Sequence, residues 1–370
     1  MTVNPDETFY ASCALKLTRW YEQNRRDLPW RRTRDPYAIL VSELMLQQTQ
    51  VERVKSYFVR WMERFPTFAS LAAASEEEII SLWQGLGYYS RARSLHKSAQ
   101  MLVSDGQETL PADPKYLARL PGLGPYTVGA VCSIAFDLPV PAVDGNVRRV
   151  FSRLLDLEAD PVKKAGAAVI AQTAESILKH GTPHILTQAF MELGATVCLP
   201  NTEPHCDQCP VADFCASFAH GTQMQRPAAT PRTKINRRSG AALLIGSSSC
   251  GWLIRRRSKG GLWEDFYEIP WLYGSENEDF AGCLERLREQ LSIPCPCRDS
   301  GIEETLKFTR WQVRVRLYHA PIPAQIPAGI ELADTEKMLA LPMPAGIKRL
   351  VERALEKVNE NQLDLFAPKR

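Results

Sequence analysis

The sequence predicts two domains, an all-α one followed by a smaller α/β one, on three observations. Its 370 residues, 45% of them hydrophobic, are more than one core of ordinary size requires. Ahead of Ser217, apolar residues recur at helical spacing; beyond Gly240 they alternate or run together as strands do. Between the two, residues 217–238 hold five basic residues, no acidic one, and Pro227 and Pro231, which reads as a mobile basic connector.

In chain order, helices are expected at Phe9–Asn24, Ser42–Met62, Ser75–Leu86, Gly145–Leu157 and Val162–Lys179. The second region offers strands in AALLIG, WLIRRR and VRVRLYHAP, and an amphipathic helix at Phe280–Leu291. The expected division is 1–216, a connector over 217–238, a second domain over 239–358, and a tail over 359–370. No internal repeat is visible. Residues 1–17 lack a basic start followed by an apolar run, and the most apolar stretches are broken by Gly, Ser, Pro or Asp. The expectation is a cytoplasmic, monomeric protein with no membrane attachment.

Net charge is +3, with 22 Lys+Arg against 24 Asp+Glu in residues 1–216, and 18 against 18 in residues 239–370. No globally cationic body exists, so affinity for a polyanion would have to come from local features and the connector.

Four of the ten cysteines, Cys198, Cys206, Cys209 and Cys215, follow the spacing C-x7-C-x2-C-x5-C. In a cytoplasmic chain such a cluster is a metal site before it is a disulfide framework, and four thiolates suit structural zinc or an iron–sulfur cluster. Upstream, LPGLGPYTVGA at Leu120–Ala130 places Gly122 and Gly124 before a helical run, where backbone N–H groups can approach an anion. AVDGNVRR follows at Ala142–Arg149; Asp144 there is also a candidate helix N-cap. SELMLQQTQ at Ser42–Gln50 sets Glu43 at the head of an apolar helix, a position that the helix dipole alone would favour.

The cysteine spacing resembles the cluster loop of the endonuclease III superfamily of DNA glycosylases, with a first gap one residue longer. Taken with the Gly turn near 116–134, Glu43 and Asp144 in this order, essentially the whole chain resembles the adenine DNA glycosylases (the MutY family). The resemblance implies an all-α helix-hairpin-helix domain with a [4Fe–4S] loop, Gly122 and Gly124 gripping a DNA phosphate, and a base-excision reaction on adenine mispaired with 8-oxoguanine or guanine. It assigns Glu43 to protonate adenine, Asp144 to face the cationic sugar, and Tyr126 and Asn146 to buttress the aspartate and the catalytic water. Such a division suits two carboxylates in different environments.

Superfamily lyases carry a lysine where this chain has Tyr126, and lack the acid corresponding to Glu43, so the resemblance implies a monofunctional enzyme. In NRRDLPWRRTRDPY at Asn24–Tyr37, five arginines surround Trp30; by resemblance Trp30, Arg31 and Gln188 belong to the adenine pocket. Gln48, Thr49, Leu86, Gly87 and Tyr88 match wedge and intercalating positions, as base extrusion requires.

Residues from Arg238 to about Val358 resemble the Nudix-like domain that this family appends to read the opposite base. Gly261-Leu262-Trp263-Glu264 and Glu268-Ile269-Pro270 carry that likeness. Leu287–Ile293 reads LREQLSI, without the glutamates of a pyrophosphatase, so the domain is expected to bind rather than hydrolyse. Phe308-Thr309-Arg310 stands where the family has Phe-Ser-His; Thr309 keeps the hydroxyl. The tail carries Gln362-Leu363-Asp364-Leu365-Phe366, which resembles the pentapeptide that binds the bacterial sliding clamp. The alternatives are an endonuclease III-like lyase or thymine mismatch glycosylase, and a catalytically silent DNA-binding module.

Overall fold

The computed structural model describes residues 5–228, 235–258, 263–264, 266–293 and 296–359. The clamp-like residues Gln362, Leu363, Leu365 and Phe366 lie outside the described residues, as do Gly261 and Leu262. The chain divides into two compact units, Met1–Pro231 and Arg232–Arg370.

The first unit is helical: α1 Glu7–Asn24, α2 Pro36–Leu46, α3 Val51–Arg64, α4 Phe68–Ala72, α5 Glu76–Trp83, α6 Ser90–Ser104, α7 Pro114–Leu117, α8 Pro125–Phe136, α9 Gly145–Leu154, α10 Lys164–Leu178, α11 Pro183–Thr196 and α12 Ala216–His220. Two helices, packed on each other, are buried on every side. In α2 every residue from Tyr37 to Met45 is buried, and in α8 every residue from Thr127 to Ile134. A helix apolar all round belongs at the centre of a bundle. Helices α3, α6, α7 and α11 pack against this pair, and α1, α9, α10 and α11 share a second core through Leu17, Phe151, Ile170 and Phe190.

Three expectations need correction. The single helix expected over Ser42–Met62 is two helices, separated by a turn in which Gln48 takes φ 56°. Glu43 therefore lies near the C-terminal end of α2 rather than at a helix head, where the dipole opposes a negative charge. The helix expected to run to Leu157 stops at Leu154, and Asp156 turns back at φ 49°. The connector expected over 217–238 is folded at both ends. Ser217 Oγ and Thr222 Oγ1 donate to Asp156 Oδ1 at 3.2 and 2.7 Å, and Arg153 Nε donates to the Gln223 carbonyl at 2.8 Å. Asn236–Arg238 already belong to a strand. One carboxylate gathers the hydroxyls of a segment that has no periodicity to announce it.

The second unit comprises β1 Asn236–Ser247, β2 Gly251–Arg256, β3 Tyr267–Glu268, β4 Trp271–Tyr273, α13 Phe280–Leu291, β5 Arg298–Phe308, β6 Trp311–Ala320, β7 Ile330–Ala333, α14 Thr335–Ala340 and α15 Ala345–Asn359. Strand order is β3-β2-β1-β6-β5, with β4 on β1 and β7 on β2. β1 and β6 run parallel from Asn236↔Trp311 to Ile245↔Ala320, and β5 and β6 form an antiparallel hairpin. The two-residue period of a strand decides which helix each face meets. Ala241, Leu243 and Ile245 pack with Cys283, Leu287 and Leu291 of α13; Ala242 and Leu244 share a core with Ile347, Leu350 and Val351 of α15.

At one sheet margin, fully buried Glu268 accepts from Arg255 Nε at 2.8 Å, Arg257 Nη1 at 2.7 Å and Trp271 Nε1 at 2.6 Å. A buried charge that loses its partner is costly, so Glu268→Ala, leaving three donors facing a cavity, should destabilise the sheet unit by about 3 kcal/mol. Urea unfolding of the full chain, followed by tryptophan fluorescence, measures this; a change under about 1 kcal/mol would mean that water replaces the carboxylate.

Candidate active site and cysteine pocket

One pocket in the helical unit gathers Trp30, Arg31, Glu43, Gln48, Thr49, Gly122, Gly124, Tyr126, Asp144, Asn146 and Gln188. α2 supplies Glu43 from its penultimate turn, α8 supplies Tyr126 from its first, and the start of α9 supplies Asp144 and Asn146.

Glu43 is 5% exposed, and its Oε2 accepts a 2.5 Å hydrogen bond from the Tyr126 hydroxyl. Burial pushes the Glu43 carboxyl up to about 7, with the charge of Asp144 acting in the same direction; the Tyr126 hydrogen bond and the Arg31 charge oppose it without prevailing. Burial first, and then the neighbouring Glu43 charge, hold the Tyr126 hydroxyl well above its ordinary value, so it remains a donor. Tyr126 thus donates to Glu43, with the charge of Asp144 also bearing on its hydroxyl.

Asp144 does cap α9: Oδ1 accepts from the Val147 backbone N–H at 2.7 Å. Its other oxygen accepts from Asn146 Nδ2 at 3.0 Å. The Asn146 amide is oriented in turn, because its Oδ1 accepts from Arg149 Nη2 at 2.9 Å. Arg149 also donates to the carbonyls of Cys198, at 2.8 Å, and Gly194, at 2.7 Å. Capping and pocket membership are one arrangement: the cap fixes the carboxylate where a helix N-terminus favours negative charge.

The arginine run does not form a free cationic face. Arg32 pairs with Asp27, Arg34 with Asp137, and Arg26 and Arg31 converge on Glu192. Glu192 is fully buried, accepting from Arg26 Nε at 2.8 Å and Nη2 at 2.7 Å, and from Arg31 Nη2 at 2.8 Å. Burial works against its charge, but these hydrogen bonds outweigh it and hold the carboxyl down at about 2. Glu192 and its partner Arg26 are pocket residues that the sequence reading missed. The available signal for Glu192 was its place four residues after Gln188, on the same face of α11. Gln188 is fixed as well: Oε1 accepts from the Tyr21 hydroxyl at 3.0 Å and Nε2 donates to the His184 carbonyl at 2.9 Å. Trp30 is 7% exposed and packs edge-on against Phe58, 5.6 Å between centroids, so it is pocket wall rather than an open stacking surface.

At the pocket's lip, Gly122 takes φ 78°, and a Cβ there would meet the Ser94 Cβ at 2.5 Å, so the turn requires glycine. Gly124 is the N-cap of α8 and has nothing within 4 Å of where a Cβ would stand. Of the residues matched to a wedge, Gln48 and Thr49 line the pocket, whereas Leu86, Gly87 and Tyr88 lie outside its lining. Leu86 is 6% exposed, packed inward and unable to project; Tyr88 is 59% exposed at φ 49°.

Cys198, Cys206, Cys209 and Cys215 line a separate small pocket with Val197, Pro204 and Phe218. Burial pushes the Cys209 thiol up to about 12 and Cys215 up to about 11, so holding them as thiolates takes a strongly positive body among them. Among the described residues, no three His, Cys, Asp or Glu side chains are arranged to hold a metal ion. Arg153 Nη1 donates to Cys198 Sγ at 3.3 Å, and the Arg153 carbonyl accepts from Cys215 Sγ at 3.4 Å. In the second unit, Thr309 sits at the β5–β6 turn at φ 48°, a costly conformation for a β-branched residue. Arg310 and Arg238 lie 5.6 and 5.2 Å from the Trp311 ring centroid. Among the described residues no helix is long and apolar enough to cross a membrane.

Residues 41–179 match the family described as HhH-GPD superfamily base excision DNA repair protein. An adenine DNA glycosylase of Mycolicibacterium smegmatis is 41% identical over 225 residues, covering 59% of this chain and 76% of that protein. The adenine DNA glycosylase of Homo sapiens is 45% identical over 218 residues, covering 56% of this chain and 40% of that one. The match thus spans less than half the length of the mammalian relatives, 40% of the rat and 44% of the mouse protein. Among solved structures, a thermostable thymine-DNA glycosylase aligns at 27% identity with a TM-score of 0.53, over 58% of this chain and 100% of that one. A trapped endonuclease III–DNA intermediate aligns at 23% identity with a TM-score of 0.50, over 59% of this chain and 99% of that one, a likeness of fold. At 41% identity over three quarters of the mycobacterial protein, the chain belongs to the adenine DNA glycosylase family.

Proposed function

We propose that this protein hydrolyses the N-glycosidic bond of adenine mispaired with 8-oxoguanine or guanine in duplex DNA, without cleaving the strand. The observation that carries the reading is Glu43, a carboxyl buried beside Tyr126 and raised to about 7, facing the same pocket as Asp144. A general acid works best with its pKa near the operating pH. With adenine extruded into the pocket, Glu43 donates its proton to N7; the C1′–N9 bond breaks and its electron pair leaves with the base. The oxocarbenium ion that remains faces the Asp144 carboxylate, held on both oxygens by Val147 and Asn146. Water then attacks C1′ and gives its proton to the Glu43 carboxylate, which restores the acid. Tyr126 keeps Glu43 oriented throughout. It also occupies the position that is a lysine in superfamily lyases, which favours base release alone over the thymine glycosylase and lyase alternatives.

Trp30, Arg31 and Gln188 would enclose the adenine, Gly122 and Gly124 would grip a phosphate, and Gln48, Thr49 and Tyr88 would fill the gap in the stack. Cys198, Cys206, Cys209 and Cys215 would hold a [4Fe–4S] cluster, whose irons supply the positive charge that these buried thiolates need. The second unit would read the opposite base with Thr309, whose strained turn offers its hydroxyl, and the tail would reach a sliding clamp through Gln362, Leu363, Leu365 and Phe366.

Duplexes bearing A opposite 8-oxoguanine, A opposite G, T opposite G and an oxidised pyrimidine separate the readings. Adenine release should dominate, with strand breaks appearing only after alkali. Strand cleavage without alkali, or release of thymine instead, would assign the chain to the alternatives. Glu43→Gln should abolish release while leaving duplex binding intact.

The pH dependence follows from the direction of the Glu43 shift. The working form is protonated, so single-turnover release should decline as pH rises past about 7. Stability obeys the same sign. A carboxyl raised from 4.5 to about 7 on folding contributes stability that is complete below 4.5 and lost as pH rises through about 7. Glu43→Gln, which cannot ionise, should match wild type at pH 4 and exceed it by about 3 kcal/mol at pH 8 in denaturant unfolding. Equal stability at both pH values would place the glutamate in contact with water.

A further inference from the structure

Two turns in the helical unit hold non-glycine residues in the left-handed region beside the pocket's lip. One follows α2 and contains Gln48 at φ 56°; the other precedes α6 and contains Tyr88 at φ 49°, flanked by Gly85 at 104° and Gly87 at 72°. Each left-handed side-chain residue costs of the order of 1 kcal/mol or more, and persists only where its surroundings enforce it. Gln48 and Tyr88 are both exposed.

One side chain bonds to both turns, although Trp83 Nε1 also donates to the Gly87 carbonyl, at 3.1 Å, and Thr49 Oγ1 to the Gln47 carbonyl, at 3.3 Å. Arg91, near the start of α6, is 7% exposed. Its Nη1 donates to the carbonyls of Leu44 at 2.5 Å, Met45 at 3.1 Å and Gln47 at 2.6 Å. The first two belong to the last turn of α2 and the third to its C-cap, where the chain turns away at Gln48. Its Nη2 donates to the carbonyls of Gly87 at 2.8 Å and Leu86 at 3.3 Å, and lies 3.4 Å from Thr49 Oγ1; its Nε donates to the Tyr88 carbonyl at 3.3 Å. The guanidinium also lies 5.4 Å from the Trp83 ring centroid and 5.5 Å from that of Tyr88. All its hydrogen bonds thus go to carbonyls and one hydroxyl of the two turns. A flat fork of five N–H groups can serve both at once, and an ammonium cannot.

We propose that Arg91 is a positioning residue that locks the 47–49 and 86–88 turns into a single rigid wedge, so that Gln48 and Tyr88 enter the duplex together and the extruded base does not return. This rests on the base-excision reading above. Arg91 touches no reacting atom; it acts by setting the strained backbone of the residues that do the opening. Its effect therefore depends on how much opening the substrate requires.

The test compares single-turnover adenine release from two duplexes: adenine opposite 8-oxoguanine, fully stacked, and adenine opposite an abasic gap, where unstacking costs little. Arg91→Lys keeps the charge and loses the fork. It should slow release about 30-fold or more on the stacked duplex and by no more than about threefold on the gapped one, a difference of about tenfold or more, or about 1.4 kcal/mol, drawn from the cost of unstacking. Equal losses on both would overturn the proposal and leave Arg91 as a brace for α2 alone. If Arg91→Lys does not fold, Gln48→Ala, Tyr88→Ala and their double variant carry the same question. A single wedge predicts that the double variant is no slower than the slower single one, whereas multiplying effects mean two independent turns and sink the idea. Wild type releasing adenine from neither duplex would reject the excision reading itself, an outcome separate from either result for Arg91.

Discussion

A carboxyl group buried between two helices that are apolar on every side is the constraint on which the pocket depends. Glu43 lies near the C-terminal end of buried α2, and its carboxyl accepts from the Tyr126 hydroxyl of equally buried α8. In that setting ionisation is expensive, so the proton stays near neutral pH. The helical packing that buries Glu43 is therefore also what raises its carboxyl, as the proposed acid role requires. Stability and chemistry draw on the same interface, and neither can be altered there without the other.

Three carboxylates around one pocket come to different ends because of where their helices place them. Glu43 sits near the C-terminus of α2, where the dipole adds to the cost of charge; Asp144 sits at the N-terminus of α9, with both oxygens accepting N–H groups. Glu192, equally buried, is held down at about 2 by two guanidinium groups. Residue type was the same or nearly so in all three. Burial without an ionic partner raises Glu43, and guanidinium donors hold Glu192 down, so neighbours rather than residue type set the difference.

Much of this was legible in the sequence, for identifiable reasons. Asp144 followed by Gly145-Asn146 announced a helix start, and the capping carboxylate also lines the pocket. Phe280–Leu291 was read to the residue, because its apolar stripe is bounded by Asp279 and an exposed turn. The break between α2 and α3 was not readable. LQQTQ contains no glycine or proline, and the left-handed turn at Gln48 takes hydrogen bonds from Arg91, a residue more than forty positions away in the chain. The folded ends of the connector escaped for a like reason, since Asp156 holds them through hydroxyl groups that follow no period. Glu192 was overlooked because a glutamate in an amphipathic helix normally faces water, and only the tertiary approach of Arg26 and Arg31 makes it otherwise.

The arginines complete the argument. A run of five around Trp30 suggested a cationic surface, yet four of them are committed to Asp27, Asp137 and Glu192. Since residues 1–216 are also slightly acidic in sum, attraction to a polyanion cannot come from that surface in bulk. Beyond the basic connector, it has to come from local groups: the backbone around Gly122 and Gly124, and side chains presented by strained turns. Directed donors depend on position in a way that diffuse charge does not. A helix N-terminus displaced by an ångström loses its grip, whereas a basic patch would barely register the change. The investment in buried, uncompromising geometry, in Arg91 gathering the carbonyls of two turns and in Gly122 packed against Ser94, is the counterpart of a surface with little net charge to spare.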